Sequence, residues 1–155
     1  MDAKRIVVKV GSSTLTGDAG TSLNGSAVTK LVDVVANLKG QGKEVIIVTS
    51  AAIAAGMAPL GLTQRPTDLA TQQASASVGQ GLLIAKYSAE FTRHNIVASQ
   101  VLVTGDDLAR DLHKENAKRT LLRLLELGVV PIINENDSVG TEEIRLGDND
   151  RLAAL

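Results

Sequence analysis

Cysteine is absent from this chain of 155 residues, and aromatic residues are nearly absent, with one tyrosine, one phenylalanine and no tryptophan. Without cysteine there is no disulfide, no thiolate-bound metal and no cysteine nucleophile. The scarcity of aromatic rings argues against the stacking platforms that bind single-stranded nucleic acids. A formal net charge of −1 provides no broad basic surface for phosphate backbones. We therefore expect no nucleic-acid partner.

Long hydrophobic runs are missing as well. The first residues include Asp2, Lys4 and Arg5 and lead into a short apolar run, which is not the pattern of a secretion signal. No run reaches the length needed to span a membrane. We expect no membrane partner and a soluble, cytoplasmic protein whose length suits one domain with a sizeable core.

Four short runs rich in valine and isoleucine alternate with helical patterns. Because most of these runs are continuously apolar, they are typical of strands covered on both faces in a parallel sheet. The order predicts an α/β fold, a three-layer sandwich with a mostly parallel sheet. Asn24 is the predicted N-cap of the first long helix, whereas Gly79 and Gly81 interrupt the second. The predicted strands are residues 5–10, 44–49, 96–103 and 129–133, and the second and third helices cover about 68–93 and 114–127.

The last residues of the chain, 152–155, read as the opening of an amphipathic helix that stops before one turn is complete. We therefore expect a fold truncated at its C-terminal side.

The first strand is followed by residues suited to binding an anion. Ligands in open α/β sheets bind beyond the carboxyl ends of the strands. Lys9 stands in an apolar strand, where its charge is costly unless the ammonium meets an anion. Gly11 and Ser12 can present N–H and hydroxyl groups to the same anion. The alternative is a lysine that reaches solvent from an edge strand. Neither a Walker A motif nor a dinucleotide fingerprint is present.

The second strand ends in VTSAAIAAG, residues 48–56, which consists almost entirely of small side chains. Small residues permit either tight packing of a helix or close approach of a ligand to the backbone. At the end of a parallel strand we expect ligand access to be the leading reason, with packing by Ala54, Ala55 and Gly56 in support. A methyl group at Ala51 would then be a hindrance, because it crowds a substrate or opposes a positive φ angle.

Polar residues follow the fourth strand at 134–138 and recur at 147–150. Taken alone, the first group is typical of a solvated turn. Neither group has the pattern of a calcium-binding loop. His94 and His113 have no catalytic partner at motif spacing, and we expect both on the surface. Glu142 and Glu143 are expected in an exposed turn or hairpin.

The segments VVKVGSSTLT, VTSAAIAAG, PIINENDSV and GDNDRLAAL, in this order and spacing, resemble the amino-acid kinase family and, within it, the glutamate 5-kinase group. The resemblance implies phosphorylation of the side-chain carboxylate of L-glutamate by ATP with Mg²⁺, giving γ-glutamyl phosphate, the first step of proline biosynthesis. It also implies a cytoplasmic homo-oligomer with proline as feedback inhibitor.

By the same resemblance, the catalytic residues are Lys9, Asp148 and Asp150. Glutamate would be held by Ser50, Asp137 and Asn149, and the nucleotide phosphates by Lys9, Gly11 and Ser12. No residue is assigned as a metal ligand. The family usually has glycine in place of Ala51.

The part of the family's kinase domain that follows GDND supplies the nucleoside site and a second catalytic lysine. We therefore expect residues 1–155 to be the N-terminal, acceptor-substrate-binding portion of such a domain, inactive as an isolated fragment. Two alternatives stay open. The chain is a non-catalytic fragment that binds glutamate or proline, or it belongs to a related enzyme such as an acetylglutamate kinase or a bifunctional pyrroline-carboxylate synthase.

Overall fold

The computed structural model describes residues 3–17, 20–140 and 149–154, without the side chain of Arg151. The strands in these ranges are β1 (Arg5–Lys9), β2 (Glu44–Val48), β3 (Ala98–Val103) and β4 (Val130–Glu135). The helices are α1 (Ser12–Leu15), α2 (Gly25–Gly40), α3 (Ala52–Met57), α4 (Leu69–Thr92), α5 (Gly105–Ala109), α6 (Asp111–Glu126) and α7 (Asp150–Ala154).

The four strands form one sheet in the order β1-β2-β4-β3, and every neighbouring pair is parallel. After β2 the chain crosses to the far edge of the sheet, where it forms β3. It then reverses direction and forms β4 between β2 and β3. Helices in right-handed crossovers change sides of the sheet when the direction of travel reverses. Accordingly, α2 and α4 cover one face, and α6 and α7 cover the other. The predicted three-layer α/β fold is confirmed.

The core has one hydrophobic cluster on each face of the sheet. Alternate residues of a buried strand point to opposite faces, so β2 contributes to both clusters. The larger cluster joins β2 and β4 to α2 and α4 and includes Val28, Val32, Val35, Val45, Ile47, Leu83, Tyr87, Phe91, Val130 and Ile132. The smaller cluster, under α6 and α7, consists of Ile46, Val48, Val103, Leu125, Ile133 and Leu152.

The long helix α4 is continuous, so the expected interruption at Gly79 and Gly81 is wrong. Gly79 lies where α4 crosses α3. A methyl group on Gly79 would come within 1.8 Å of the Ala52 carbonyl oxygen, and one on Gly56 within 1.9 Å of the Ser75 carbonyl oxygen. The two glycines are therefore needed for close approach of the helices, which confirms the packing role of Gly56.

The local predictions were correct at the start of α2 and wrong at the end of β4. Asn24 caps α2, accepting hydrogen bonds from the backbone N–H groups of Ser26 and Ala27. The solvated-turn interpretation is wrong for Asn134 and Glu135, which belong to β4 and are buried. The turn begins two residues later, at Asp137.

Both histidines lie at the surface, where the fold gives each of them a carboxylate partner. His94 Nε2 is 2.8 Å from Asp33 Oδ1, and His113 Nδ1 is 3.0 Å from Asp107 Oδ1. The His94 pair joins residues 61 positions apart and the His113 pair joins residues six positions apart, and neither spacing matches a catalytic motif. Glu142, Glu143 and Asp148 lie outside the described residues. Within the described ranges, no helix combines the length and apolar character needed to cross a membrane.

Candidate functional site

A polar cavity of about 370 Å³ opens at the carboxyl ends of β2 and β4. These two strands are neighbours in the sheet, so the residues that follow them meet at one edge. The cavity is lined by Ser12, Ser50, Ala51, Ala52, Ile53, Ala54, Arg65, Asn134, Glu135, Asp137 and Asn149. The structure thus brings together Ser12, Ser50, Asp137 and Asn149, four of the residues singled out in the sequence.

The small-residue stretch forms one wall of this cavity. Ala51 joins β2 to α3 with φ of 79° and ψ of 12°, a left-handed conformation that glycine adopts without strain. The positive φ considered from the sequence at this position is therefore observed. Ala52, Ile53 and Ala54 line the cavity, whereas Gly56 faces α4. The stretch serves both close packing and an open cavity wall.

Asn134 is at the centre of a buried hydrogen-bond network and is 1 % exposed. Its Nδ2 donates to Gln80 Oε1 on α4 at 2.8 Å. Its Oδ1 accepts from the Glu135 backbone N–H at 2.9 Å and from Asn149 Nδ2 at 3.0 Å. Because the Asn134 side-chain nitrogen donates to Gln80, the Asn134 side-chain oxygen is oriented toward Asn149. Gln80 thereby orients Asn134, and Asn134 orients Asn149.

Asn134, Glu135 and Gln80 were not singled out individually from the sequence. The sequence signal for Asn134 and Glu135 was their place directly after an apolar run, and the structure shows them 1 % and 5 % exposed. Buried polar groups of this kind require partners. Gln80 lies between two glycines in a helix, and its role depends on the crossing of α4 over the sheet.

Asn149 connects the described C-terminal segment to β2. Its backbone is left-handed, with φ of 58°, which asparagine tolerates better than most residues. Its Nδ2 donates to the Thr49 carbonyl oxygen at 2.6 Å and lies 3.3 Å from Ser50 Oγ. Its Oδ1 is buried and has no hydrogen-bond partner within the described part of the chain. An N–H donor of a ligand in the cavity would satisfy this oxygen.

Tyr87 supports the end of β2 from below the cavity. Its hydroxyl is 3.0 Å from Thr49 Oγ1, and both residues are fully buried. Burial raises the pKa of Tyr87 to about 12, although the hydrogen bond with Thr49 opposes the shift. Tyr87 therefore stays neutral at physiological pH and adds no charge beneath the site.

Lys9 lies at the end of edge strand β1, and its ammonium is 2.8 Å from Asp150 Oδ1. The Lys9 side chain is 24 % exposed and that of Asp150 is 77 % exposed. The ammonium also lies over Gly11, where an added methyl group would be 3.6 Å away. Since Ser12 and Asn149 line the cavity and adjoin Gly11 and Asp150 in the chain, the Lys9–Asp150 pair borders the cavity.

The charges in the cavity lining are of both signs. Glu135 and Asp137 provide carboxylates, and Arg65, on the loop between α3 and α4, provides a guanidinium. Such a lining suits a ligand that carries both an ammonium and a carboxylate group. Arg65 was not singled out in the sequence, because nothing near it in the chain predicts that the loop reaches this cavity.

The sequence matches the profile of the amino acid kinase family over residues 4–155. It is 62 % identical to the glutamate 5-kinase of Thermobifida fusca over 153 residues. The matched region is 99 % of this chain and 39 % of that protein. It is 56 % identical to the glutamate 5-kinase of Clavibacter michiganensis, over 99 % of this chain and 57 % of that protein. The chain thus spans about two-fifths to three-fifths of the length of these curated relatives.

A solved structure, the UMP kinase of Bacillus anthracis, superposes with a TM-score of 0.51 over 84 % of this chain and 52 % of the other, at 15 % identity. At this identity the likeness concerns the fold alone. The family profile, in contrast, matches nearly the whole sequence. This chain belongs to the amino acid kinase family.

Proposed function

We propose that residues 1–155 are the N-terminal, acceptor-substrate-binding portion of a glutamate 5-kinase, which transfers the γ-phosphoryl group of ATP to the side-chain carboxylate of L-glutamate. The observation that carries the proposal is the meeting of Ser50, Asp137 and Asn149 in one cavity at the carboxyl ends of adjacent parallel strands. Support comes from relatives named glutamate 5-kinase at 52–62 % identity.

Glutamate binding follows from the donors and acceptors in the cavity. The carboxylate of Asp137 is suited to the substrate's ammonium group by a charge-assisted hydrogen bond. The buried Oδ1 of Asn149 accepts a further N–H of that ammonium. The hydroxyl of Ser50 donates to a substrate carboxylate. Because the Gln80–Asn134–Asn149 network fixes the amide of Asn149, this acceptor is oriented before the substrate arrives.

Phosphoryl transfer needs cations, because the acceptor carboxylate and the γ-phosphoryl group are both anionic. Catalysis of this reaction is mostly positioning and electrostatic stabilisation. Lys9 supplies the positive charge, Asp150 orients it through their ion pair, and Gly11 and Ser12 approach the same phosphates. By resemblance, Asp148 assists Asp150. Loss of one well-placed donor costs about 3 kcal/mol of barrier, on the order of a hundredfold in rate.

The proposal includes Mg²⁺ carried by ATP. Among the described residues, no three side chains of Asp, Glu, His or Cys come together in a group that could hold a metal ion. Nucleotide-bound Mg²⁺ keeps several waters and takes one or two protein carboxylates at most. The exposed carboxylate of Asp150 fits that requirement. When bound, Mg²⁺ would neutralise charge on the phosphates.

Two properties of the intact protein belong to the same proposal. Proline carries the α-carboxylate and a protonated amine like those of glutamate, so we propose that it inhibits by occupying the same cavity. By resemblance, the intact protein is a cytoplasmic homo-oligomer.

A phosphorylation assay tests the proposal. The chain alone is expected to produce ADP at the background rate. The same 155 residues joined to the remaining part of the Thermobifida fusca relative are expected to produce ADP in a manner that depends on L-glutamate. A well-folded joined protein that is inactive with glutamate would reject the proposal. N-acetyl-L-glutamate as acceptor distinguishes an acetylglutamate kinase, since Asp137 suits a free ammonium and not an amide.

A second candidate, a binding fragment without catalysis, is favoured by one observation. The acceptor cavity is formed by described residues, although the chain covers less than half of some relatives. Calorimetry with L-glutamate and with proline tests this candidate, and a chain that binds neither of them is not such a fragment.

A further inference from the structure

We propose that Arg65 determines substrate specificity by binding the α-carboxylate of the amino-acid substrate. This inference rests on the proposed function and adds a residue to it. Arg65 carries the one positively charged side chain among the described residues that line the cavity. It is exposed, and it has no ion pair or hydrogen bond within the described part of the chain.

The backbone that carries Arg65 is fixed on its C-terminal side. Gln72 Nε2 donates to the Pro66 carbonyl oxygen at 2.9 Å, and Asp68 caps α4 by accepting from the Thr71 N–H at 2.8 Å. A residue that precedes proline is restricted to extended conformations. The guanidinium is therefore presented to the cavity from an anchored loop, which lowers the entropy cost of binding.

The charge balance of the cavity assigns Arg65 to the α-carboxylate. L-glutamate has one ammonium and two carboxylates. The ammonium is matched by Asp137, and the side-chain carboxylate must approach the phosphoryl group on the side of Lys9. The α-carboxylate is left without a cation unless Arg65 provides it. A guanidinium binds a carboxylate through two parallel hydrogen bonds, a geometry that lysine does not offer.

The alternative role for Arg65 is contact with a nucleotide phosphate. It is disfavoured by position, because Arg65 lines the same cavity as Asp137 and Asn149, whereas the Lys9–Asp150 pair only borders it. If Arg65 binds the α-carboxylate, its guanidinium affects the KM for glutamate. If it binds a nucleotide phosphate, the guanidinium affects the KM for ATP.

Calorimetry on the 155-residue chain tests the inference with L-glutamate and L-isoglutamine, which has a neutral amide in place of the α-carboxylate. The Arg65→Gln variant is expected to bind glutamate about tenfold more weakly or worse. The unmodified chain should lose a similar factor with isoglutamine, and Arg65→Gln should lose little more. The control is Arg119→Gln, an exposed arginine on α6 that does not line the cavity. It should bind glutamate like the unmodified chain.

The outcomes separate the inference from the proposed function. If the unmodified chain binds glutamate and Arg65→Gln binds it equally well, the inference is overturned and the proposed function stands. If neither the unmodified chain nor the joined kinase binds glutamate, both are overturned. In the joined kinase, Arg65→Gln should raise the KM for glutamate and leave the KM for ATP unchanged, and a rise confined to ATP would overturn the inference. Thermal melting of the variant should be unchanged, since the side chain is exposed.

Discussion

The side-chain amide of Asn149 donates a hydrogen bond of 2.6 Å to the main-chain carbonyl of Thr49, 100 positions earlier in the chain. The same amide lies 3.0 Å from the side-chain oxygen of Asn134. A single residue thus joins the described C-terminal segment to the ends of β2 and β4. Because these contacts are buried, they hold the wall of the cavity in place as well as its ligand-binding groups.

Replacement of Asn149 by aspartate should destabilise the chain by about 1–3 kcal/mol, because the new carboxylate would face two acceptor oxygens that now receive hydrogen bonds. Urea denaturation measures the change. Asn116→Asp, on the exposed surface of α6, is the matched control and should stay within about 0.5 kcal/mol of the unmodified chain. Equal stability of both variants would show that the Asn149 contacts contribute nothing to the fold.

Replacement of Ala51 by glycine should stabilise the chain by roughly 0.5–1 kcal/mol, because it relieves the left-handed strain at φ of 79°. Denaturant titration measures this gain. The adjacent Ala52→Gly removes the same methyl group from the first residue of α3 and should be destabilising by roughly 0.5–1 kcal/mol. In the joined kinase, Ala51→Gly should also raise activity. A loss of stability at both positions would mean that burial of the Ala51 methyl outweighs its strain.

The site illustrates what the sequence could predict and what it could not. The strands, their parallel orientation and the cap at Asn24 were predicted from local patterns, and the structure confirms them. Asn134 and Glu135 were misread as a turn because their residue types favour turns, whereas the strand ladder and the Gln80 hydrogen bond hold them in the sheet. At these two residues, tertiary contacts determine the structure and override the local preference for a turn.

Arg65 and Gly79 show a second limit. Their roles depend on contacts between elements that are distant in the chain, and no spacing rule encodes those contacts. Gly79 was interpreted as an interruption of a helix, yet the helix needs glycine there to approach Ala52. The resemblance to the family singled out Ser50, Asp137 and Asn149 from the sequence alone, and their assigned roles remain predictions.

Alanine at Gly79 should severely destabilise the packing of α3 against α4, since its methyl group would come within 1.8 Å of a backbone oxygen. We expect a loss of about 3 kcal/mol or more in the free energy of unfolding. Gly81→Ala, two residues along the same helix, meets no atom within 4 Å and should stabilise by roughly 0.5–1 kcal/mol. Thermal denaturation of the two variants gives opposite signs on this account, and a common sign would contradict it.

Glu90 should make stability depend on pH below neutrality. Hydrogen bonds from Lys86 and then Arg93 lower the pKa of Glu90 from 4.5 to about 2, against the opposing effect of burial. A folded-state pKa below the unfolded value means that the contribution is complete above about pH 5 and is lost as the pH falls toward 2.

The unfolding free energy of Glu90→Gln, measured against pH, tests this assignment. The variant should be less stable than the unmodified chain at pH 7, and the difference should shrink as the pH falls through the window set by the two pKa values. A difference that is constant with pH would place the effect in packing, not in charge.

The central claim, that the cavity at the ends of β2 and β4 binds L-glutamate, is tested most directly by backbone amide chemical shifts during titration of the ¹⁵N-labelled chain. We predict shifts confined to residues 12, 50–54, 65, 134–137 and 149 and their neighbours. A larger but shallower cavity of about 570 Å³, lined by Asp33, Lys39 and His94 among others, provides an internal comparison. Shifts centred on that second cavity, or none at saturating glutamate, would contradict the account.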